Sequence, residues 1–228
     1  MKKLLLLGLS IFMAGGVLIG CGKTKSVNEQ KIVYSDELSK VKEIRIESSS
    51  KIEVTASNDK DLKATLSGDV KFVGSIKGMD TTIASRIKDG ILYISYGVNK
   101  KSKFPIKANS NKVSLVIDIP SSIKEKLHIK SEYTTINVKN SNFKNIECVS
   151  ETGNIGISLR KIPNSLNIKT VSGSIKLNLP RNEKFSLSTT TKVENIKNNL
   201  SDNVDNSLDK SKISLTTQVG KIELSENK

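Results

Sequence analysis

"TVSGSIKLNLP", residues 170–180, is the stretch on which the fold turns. Read alone, Ser172-Gly173-Ser174 could be a phosphate-cradling glycine loop, a fragment of a serine active site, or a corner between two strands. The chain supplies its own control, because related stretches stand at 150–159, "SETGNIGISL", and at 217–225, "TQVGKIELS". A catalytic loop rarely comes in copies; a structural corner does. The stretch also lacks the Gly-x-Ser-x-Gly elbow of a hydrolase nucleophile and the Gly-Lys-Ser/Thr of a phosphate loop.

Working outward, the copies align on the isoleucine after each corner: Ile136, Ile155, Ile175, Ile196 and Ile222, at intervals of 19, 20, 21 and 26 residues. Seven residues before four of them stands another apolar residue, Ile129, Cys148, Ile168 or Leu215. Each unit therefore reads as strand, corner, strand and return. A period near 20 residues marks a solenoid, in which a coil buries against its neighbour a face it could not bury alone. Five coils stacked in chain order, each on the last, would make a column about 20 Å long. Gly153, Gly173 and Gly220 share the corner position, where a sharp change of direction favours glycine. Thr134 and Glu194 stand there in two other units, and Ser50 takes the place in "SSSKIEV" (48–54). A polar insertion, "NNLSDNVDNSLDKS" (198–211), lengthens the last interval and reads as a loop bulging from one edge.

The rest of the chain also alternates at period two, as in Ile44/Ile46, Ile52/Val54 and Val113/Leu115/Ile117/Ile119, and almost nothing repeats at helical spacing. The fold class is all-β. Residues 41–120 are less regular than the coils that follow, and Asp89-Gly90 between Ile83/Ile87 and Leu92/Ile94 is a hairpin signal.

The first twenty residues stand apart: Lys2 and Lys3, an apolar run from Leu4, then small residues before "LIGC" (18–21). This is the shape of a secretory signal, the run being near the lower limit for a membrane-spanning helix. "LIGC" resembles the lipobox of bacterial lipoproteins. The resemblance implies cleavage before Cys21 and a thioether-linked diacylglycerol on its sulfur, so residues 1–20 are a lipoprotein signal peptide. Two or three acyl chains anchor a protein firmly where one binds reversibly. "GKTKSVNEQK" (22–31) is polar and aperiodic, which predicts a flexible tether over 21–40 and a single β-solenoid domain over 41–228.

The formal net charge is +14, and cleavage would remove Lys2 and Lys3 and no acidic residue, leaving +12. Such a surface attracts anionic lipid heads or acidic envelope polymers in a salt-dependent way. Nucleic acid is set aside as a partner: there is no Trp, aromatics are 4%, and no stacking motif or recognition helix is visible. With Cys21 lipidated, Cys148 is the one remaining thiol, and its strand context reads as a small buried hydrophobe. One histidine, His128, beside one thiol excludes the usual zinc clusters, and no cofactor or metal is expected.

"VKEIRIESSSKIEV", "VSLVIDIP" (113–120), "LNIKTVSGSIKLNLP" and "ISLTTQVGKIEL" together resemble the bacterial "putative adhesin" domain of unknown function, over roughly residues 41–225. That family is a β-repeat one, common in surface proteins and lipoproteins. The resemblance implies a right-handed parallel β-helix or related β-solenoid at the cell envelope, and it brings no catalytic residues with it.

Parallel β-helices do host enzymes acting on acidic polysaccharides, chemistry that needs carboxylates, or a carboxylate with Arg or Lys, converging on one face. Here Glu132, Glu147, Glu151 and Glu194 share no evident rung, and Arg160 and Arg181 are the only arginines after residue 120. Asp202, Asp205 and Asp209 lack the spacing of a calcium loop and read as solvated loop charge. Lys100, Lys101 and Lys103 form the densest basic cluster, suited either to solubility or to an anionic polymer or lipid head. The sequence therefore points to a non-enzymatic, adhesin-like protein on the outer side of a bacterial cell membrane. It would be held there through Cys21 and would bind an anionic cell-wall polymer or a surface protein. An accessory sensor of envelope stress is the alternative, and a polysaccharide-active enzyme the second.

Overall fold

The computed structural model describes residues 23–72, 82–97, 113–181, 183–193, 195–200, 204–207 and 211–227, and in it the alternating segments are strands. In chain order they are β1 (Lys23–Val33), β2 (Glu43–Ser48), β3 (Lys51–Ser57), β4 (Leu62–Phe72), β5 (Ala84–Lys88), β6 (Ile91–Tyr96), β7 (Val113–Pro120), β8 (Lys126–Ser131) and β9 (Ile136–Ser141). Then follow β10 (Asn145–Thr152), β11 (Ile155–Leu159), β12 (Ser165–Ser172), β13 (Ile175–Leu179), β14 (Ser186–Thr191), β15 (Ile196–Asn199), β16 (Lys212–Val219) and β17 (Ile222–Glu226). One helical turn, α1 (Ser35–Leu38), joins β1 to β2 and buries Leu38.

The strands form two sheets, and from β6 onward successive strands alternate between them. One has the order β1-β4-β7-β3-β9-β11-β13-β17-β15 and the other β14-β16-β12-β10-β8-β2-β6-β5. A coil is thus one strand of each sheet, as in β8–β9 or β12–β13, and coils pair in parallel through both sheets. The inward residues of the two sheets form one apolar cluster. Ile46, Ile129, Cys148, Ile168 and Leu215 follow one another across five strands in strict register. Each is at most 1% exposed, which stabilises the fold by about 1.5–3 kcal/mol for each large side chain. Cys148 is thus the small buried hydrophobe expected of it.

Three expectations need correction. The sheets are mixed and open rather than those of a wholly parallel helix: β4 runs antiparallel to β7, β1 to β4, and β5 to β6. The last of these is the hairpin announced by Asp89-Gly90, both with positive φ. Second, within the stretch read as a tether, 21–40, Lys23–Val33 form the eleven-residue strand β1, hydrogen-bonded along its whole length to β4. Val27 and Val33 are buried, Ile32 is half-buried, and the remainder of the strand is polar. A half-buried edge strand rich in Lys, Asn and Gln resembles a polar linker in composition, because one of its faces is wet.

Third, the coils do not stack in chain order. The coil β2–β3, first in sequence, lies inside the column between β6–β7 and β8–β9. At the other end β16–β17 is inserted between β12–β13 and β14–β15. The side chains account for this: β16–β17 supplies the buried Ile213, Leu215, Ile222 and Leu224, whereas every residue of β15 is exposed. The more apolar coil takes the interior and the polar one the end, as capping units of repeat proteins do. Within the insertion, Val204 bridges to Phe185 and Asp205 donates its N–H to the Phe185 carbonyl, so this part pairs with the end coil.

The corner between the two sheets is a column of close backbone contacts. A Cβ on Gly153 would stand 2.1 Å from the Thr134 carbonyl oxygen, on Gly173 2.1 Å from that of Gly153, and on Gly220 2.0 Å from that of Gly173. Glycine is required here because one coil's carbonyl fills the space a side chain would take. Beneath the corner, Ser48, Ser131, Ser150, Thr170 and Thr217 are in register and buried. Thr170 and Thr217 of this row, with Thr134 at the corner itself, tie neighbouring coils together. Thr134 Oγ1 donates to the Ser50 carbonyl at 2.7 Å, Thr170 Oγ1 to that of Gly153 at 3.2 Å, and Thr217 Oγ1 to that of Gly173 at 3.0 Å.

Candidate binding site

The outward face of the second sheet carries the most concentrated chemistry among the described residues. Two-residue alternation puts Arg86, Tyr93, Arg45, His128 and Glu147 on the same side of β5, β6, β2, β8 and β10. The registers Arg86↔Tyr93, Tyr93↔Arg45, Arg45↔His128 and His128↔Glu147 line them up across the coils. In the next row Ser95, Glu47 and Lys130 are neighbours. All of these except Glu147 border a shallow depression of about 530 Å³.

Its centre is an arginine–tyrosine–arginine stack. The Arg86 guanidinium lies 4.8 Å and that of Arg45 5.7 Å from the Tyr93 ring centroid. Both are within cation–π range, which holds the planar forks in place without using their hydrogen-bond donors. Arg45 directs its Nε–H to Glu43 Oε1 at 2.6 Å, and Lys126 Nζ lies 3.6 Å from the same oxygen. Partial burial raises the Glu43 carboxyl, but the Arg45 hydrogen bond and the charges of Lys126, Arg45 and His128 outweigh it, so its pKa falls below the ordinary value. At the other side His128 Nδ1 lies 3.0 Å from Glu147 Oε2, and Lys130 lies 3.7 Å from Glu47. The lining cations Arg45, Arg86 and Lys130 outnumber the one lining carboxylate, Glu47. Such a site can hold an anionic group by bidentate and ionic hydrogen bonds.

A second hollow, of about 400 Å³, runs along the glycine corner and is bordered by Lys51, Tyr133, Thr152, Asn154 and Ser172. Here the polar groups of the repeated stretch are already engaged in stacking: Ser174 N–H donates to Asn154 Oδ1 at 2.8 Å, and the Ser172 carbonyl accepts from Gly153 N–H at 2.9 Å. Ser172-Gly173-Ser174 is a corner.

Of the residues weighed from sequence, Glu147 joins the groove through His128, while Glu132 and Glu151 lie near the corner. Arg160 follows β11 at the opposite edge, where Arg181 Nε lies 3.6 Å from Glu226. Burial pushes the Cys148 thiol well above its usual range, so it stays a neutral thiol. Asp205 accepts from Ser207 N–H and Oγ–H within its own turn. Cys21, Glu194, Asp202, Asp209 and the Lys100, Lys101 and Lys103 cluster lie outside the described residues. Among the described residues no three His, Cys, Asp or Glu side chains gather as metal ligands, and no helix is long and apolar enough to cross a membrane.

Sequence reading passed over Arg45, Arg86 and Tyr93. Part of the signal was present, because counting outward from the Asp89-Gly90 turn pairs Lys88 with Ile91 and Arg86 with Tyr93. Arg45 could not be found that way, since only the out-of-order stacking puts β2 beside β6.

Among solved structures, the chain is similar to a "putative cell adhesion protein" from Clostridium sporogenes at 14% identity, with a TM-score of 0.63, covering 89% of this chain and 100% of that one. A "putative adhesin" from Bacteroides fragilis is also 14% identical, with a TM-score of 0.34 and coverage of 89% and 97%. No curated protein matches the chain. The pattern of the Toastrack DUF4097 family matches residues 41–226, all of the described fold but β1, α1 and the extreme C-terminus, and the chain belongs to that family.

Proposed function

We propose that this chain is a non-enzymatic binding module of the bacterial envelope, lipid-anchored through Cys21, whose Arg45–Tyr93–Arg86 groove takes an anionic polymer of the cell wall or surface. The stack of two guanidiniums on one ring carries the reading. Such a stack orients several donors toward solvent at a shallow, open surface, which suits a repeating polyanion better than a small enclosed substrate. The net charge of +12, which is the +14 of the full chain less Lys2 and Lys3, adds long-range attraction for the same class of ligand. The name given to the Clostridium sporogenes structure, a cell adhesion protein, agrees with a surface role. Lipidation rests on "LIGC" at 18–21, and radiolabelled palmitate should enter the wild type but not Cys21→Ala, which should leave the membrane fraction.

Binding of the purified protein to teichoic acid, followed by calorimetry or sedimentation, tests the groove. Arg86→Ala and Tyr93→Ala should each weaken binding about 5- to 30-fold, equivalent to about 1–2 kcal/mol. The wild-type affinity should fall as salt rises through the range in which the Debye length shortens to about 8 Å. Wild-type affinity retained by both variants would remove the groove from the function.

A further inference from the structure

We propose that the glycine-corner edge of the column is a membrane-docking edge, which rests on the lipid headgroup layer with Tyr133, Val171, Val219 and Val193 facing the bilayer. This rests on the reading of Cys21 as the lipid anchor. The first observation is where the anchored end of the chain emerges. Strand β1 runs parallel to β7 and β3, because each of the two intervening pairings is antiparallel. Val27 and Val113 both face Gly68, so Val27 is level with the start of β7 at the corner. Lys23 lies four residues further on, still paired with Phe72. The β1–β4 ribbon thus projects beyond the glycine corner by about 13 Å at ~3.4 Å per residue.

The length of chain left over then decides the orientation. Cys21 precedes Lys23 by two residues, which span at most about 7 Å. With so short a link the acyl chains must enter the bilayer on the glycine-corner side. The opposite edge, with the exposed Lys124, Lys144, Arg160, Lys161 and Arg181, is a full strand length away.

The second observation, independent of the first, is the character of the corner itself. Large apolar side chains stand in the open there: Tyr133 is 65% exposed, Val219 58%, Val193 48% and Val171 40%. Tyr133, Val219 and Val193 occupy the same position one residue before the corner, in three coils, and Val171 precedes Ser172, which pairs with Val219. Four apolar side chains aligned on one edge, including a Tyr with its amphipathic ring, match the headgroup boundary of a membrane.

The two observations fit in one pose. The strip begins at the coil of β9, four strands from β1, and ends at that of β15, eight strands from β1, or about 19 to 38 Å along the stack. The ribbon holds its own end of the column away from the bilayer, and a tilt of about 20° brings the far end down. Among the described corners the one nearest the ribbon, between β2 and β3, carries Ser49 and Lys51, and the apolar residues lie farther along, where the tilted edge would touch.

The test uses the full chain, lipidated in cells and reconstituted into vesicles of phosphatidylglycerol and phosphatidylethanolamine. Cys148 is buried and its thiol stays protonated, so a label attaches selectively to an introduced Thr152→Cys or, at the opposite edge, Lys161→Cys. Brominated lipids should quench the label at 152 several-fold more than that at 161. The difference should shrink when Tyr133, Val171, Val193 and Val219 are all changed to Ser. The mass of the mature chain is read first: absence of lipid on Cys21 overturns the anchor reading and this one with it. Lipid on Cys21 with equal quenching at both positions overturns the docking edge alone. Shielding of 152 from a soluble quencher without quenching by lipid would assign the edge to a protein and likewise overturn it.

Discussion

At Gly173 an added methyl would meet the Gly153 carbonyl oxygen at 2.1 Å, backbone against backbone, with φ at +155°, where L side chains are rarely found. Neither partner is a flexible side chain that could turn aside, so Gly173→Ala must separate two coils. We expect a loss of about 3 kcal/mol or more by chemical denaturation. Gly156 is the internal comparison, because its nearest obstacle is the Asn137 side-chain oxygen at 2.9 Å, which can rotate. Gly156→Ala should change stability by less than about 1 kcal/mol. Glu43 makes a different residue-scale prediction. Its folded pKa lies below the ordinary value of 4.5, so its contribution to stability is present above that pH and is lost as pH falls through the lowered folded value. The melting temperature of Glu43→Gln should therefore lie below wild type at neutral pH, and the two should converge in acid below the folded pKa. A constant difference across that range would mean that the Arg45 and Lys126 contacts do not depend on the carboxylate charge.

Among the elements, β15 and β17 begin from similar sequences, "NIKNN" and "KIELS", yet Ile196 is 46% exposed and Ile222 is fully buried. Ile222→Ala should cost about 2–5 kcal/mol, as for other buried Ile or Leu truncations, and Ile196→Ser less than about 0.5 kcal/mol, a surface change. Equilibrium denaturation of the two variants checks the contrast, and amide exchange should be fastest in β14 and β15. These strands also show how far the sequence can be read. Period, corner glycines and the columns through Cys148 and Ile168 were legible because each is set by contacts of one residue type repeated at fixed spacing. Which coil lies at the end was not, since that depends on comparing the apolar content of whole coils rather than on the spacing within them. β1 was missed for a related reason: an edge strand has one wet face, and the alternation that reveals a strand is diluted by polar residues on both sides of Val27. The groove was half legible, through the Arg86–Tyr93 hairpin pair, and its other half follows only from the neighbourhood of β2 and β6.

For the whole molecule, the stacking order decides how the column comes apart. In a solenoid stacked in chain order, each coil touches only its sequence neighbours, and removing the last coil leaves the others intact with one new end. Here the last coil in sequence, β16–β17, lies inside the stack, paired on one side with β12–β13 and on the other with β14–β15. A chain ending at residue 207 would keep β14–β15 but lose the coil against which it packs. It would also expose the apolar interior faces of β12 and β13 that Ile213, Leu215, Ile222 and Leu224 now cover. Uncovering that core and unpairing two sheet edges at once removes more than the 5–15 kcal/mol by which a domain of ordinary stability is held. The chain ending at residue 207 should therefore lack a cooperative thermal transition and self-associate through its open edges. A chain ending at residue 180, which removes β14 and β15 as well, exposes the same β12–β13 face but carries no stranded end coil. It should aggregate no more than the longer truncation, although it lacks more of the domain. Circular dichroism melts and sedimentation of the two truncations decide the matter: a cooperative melt for the chain ending at residue 207, only a few degrees below wild type, would mean that the column is built in chain order after all.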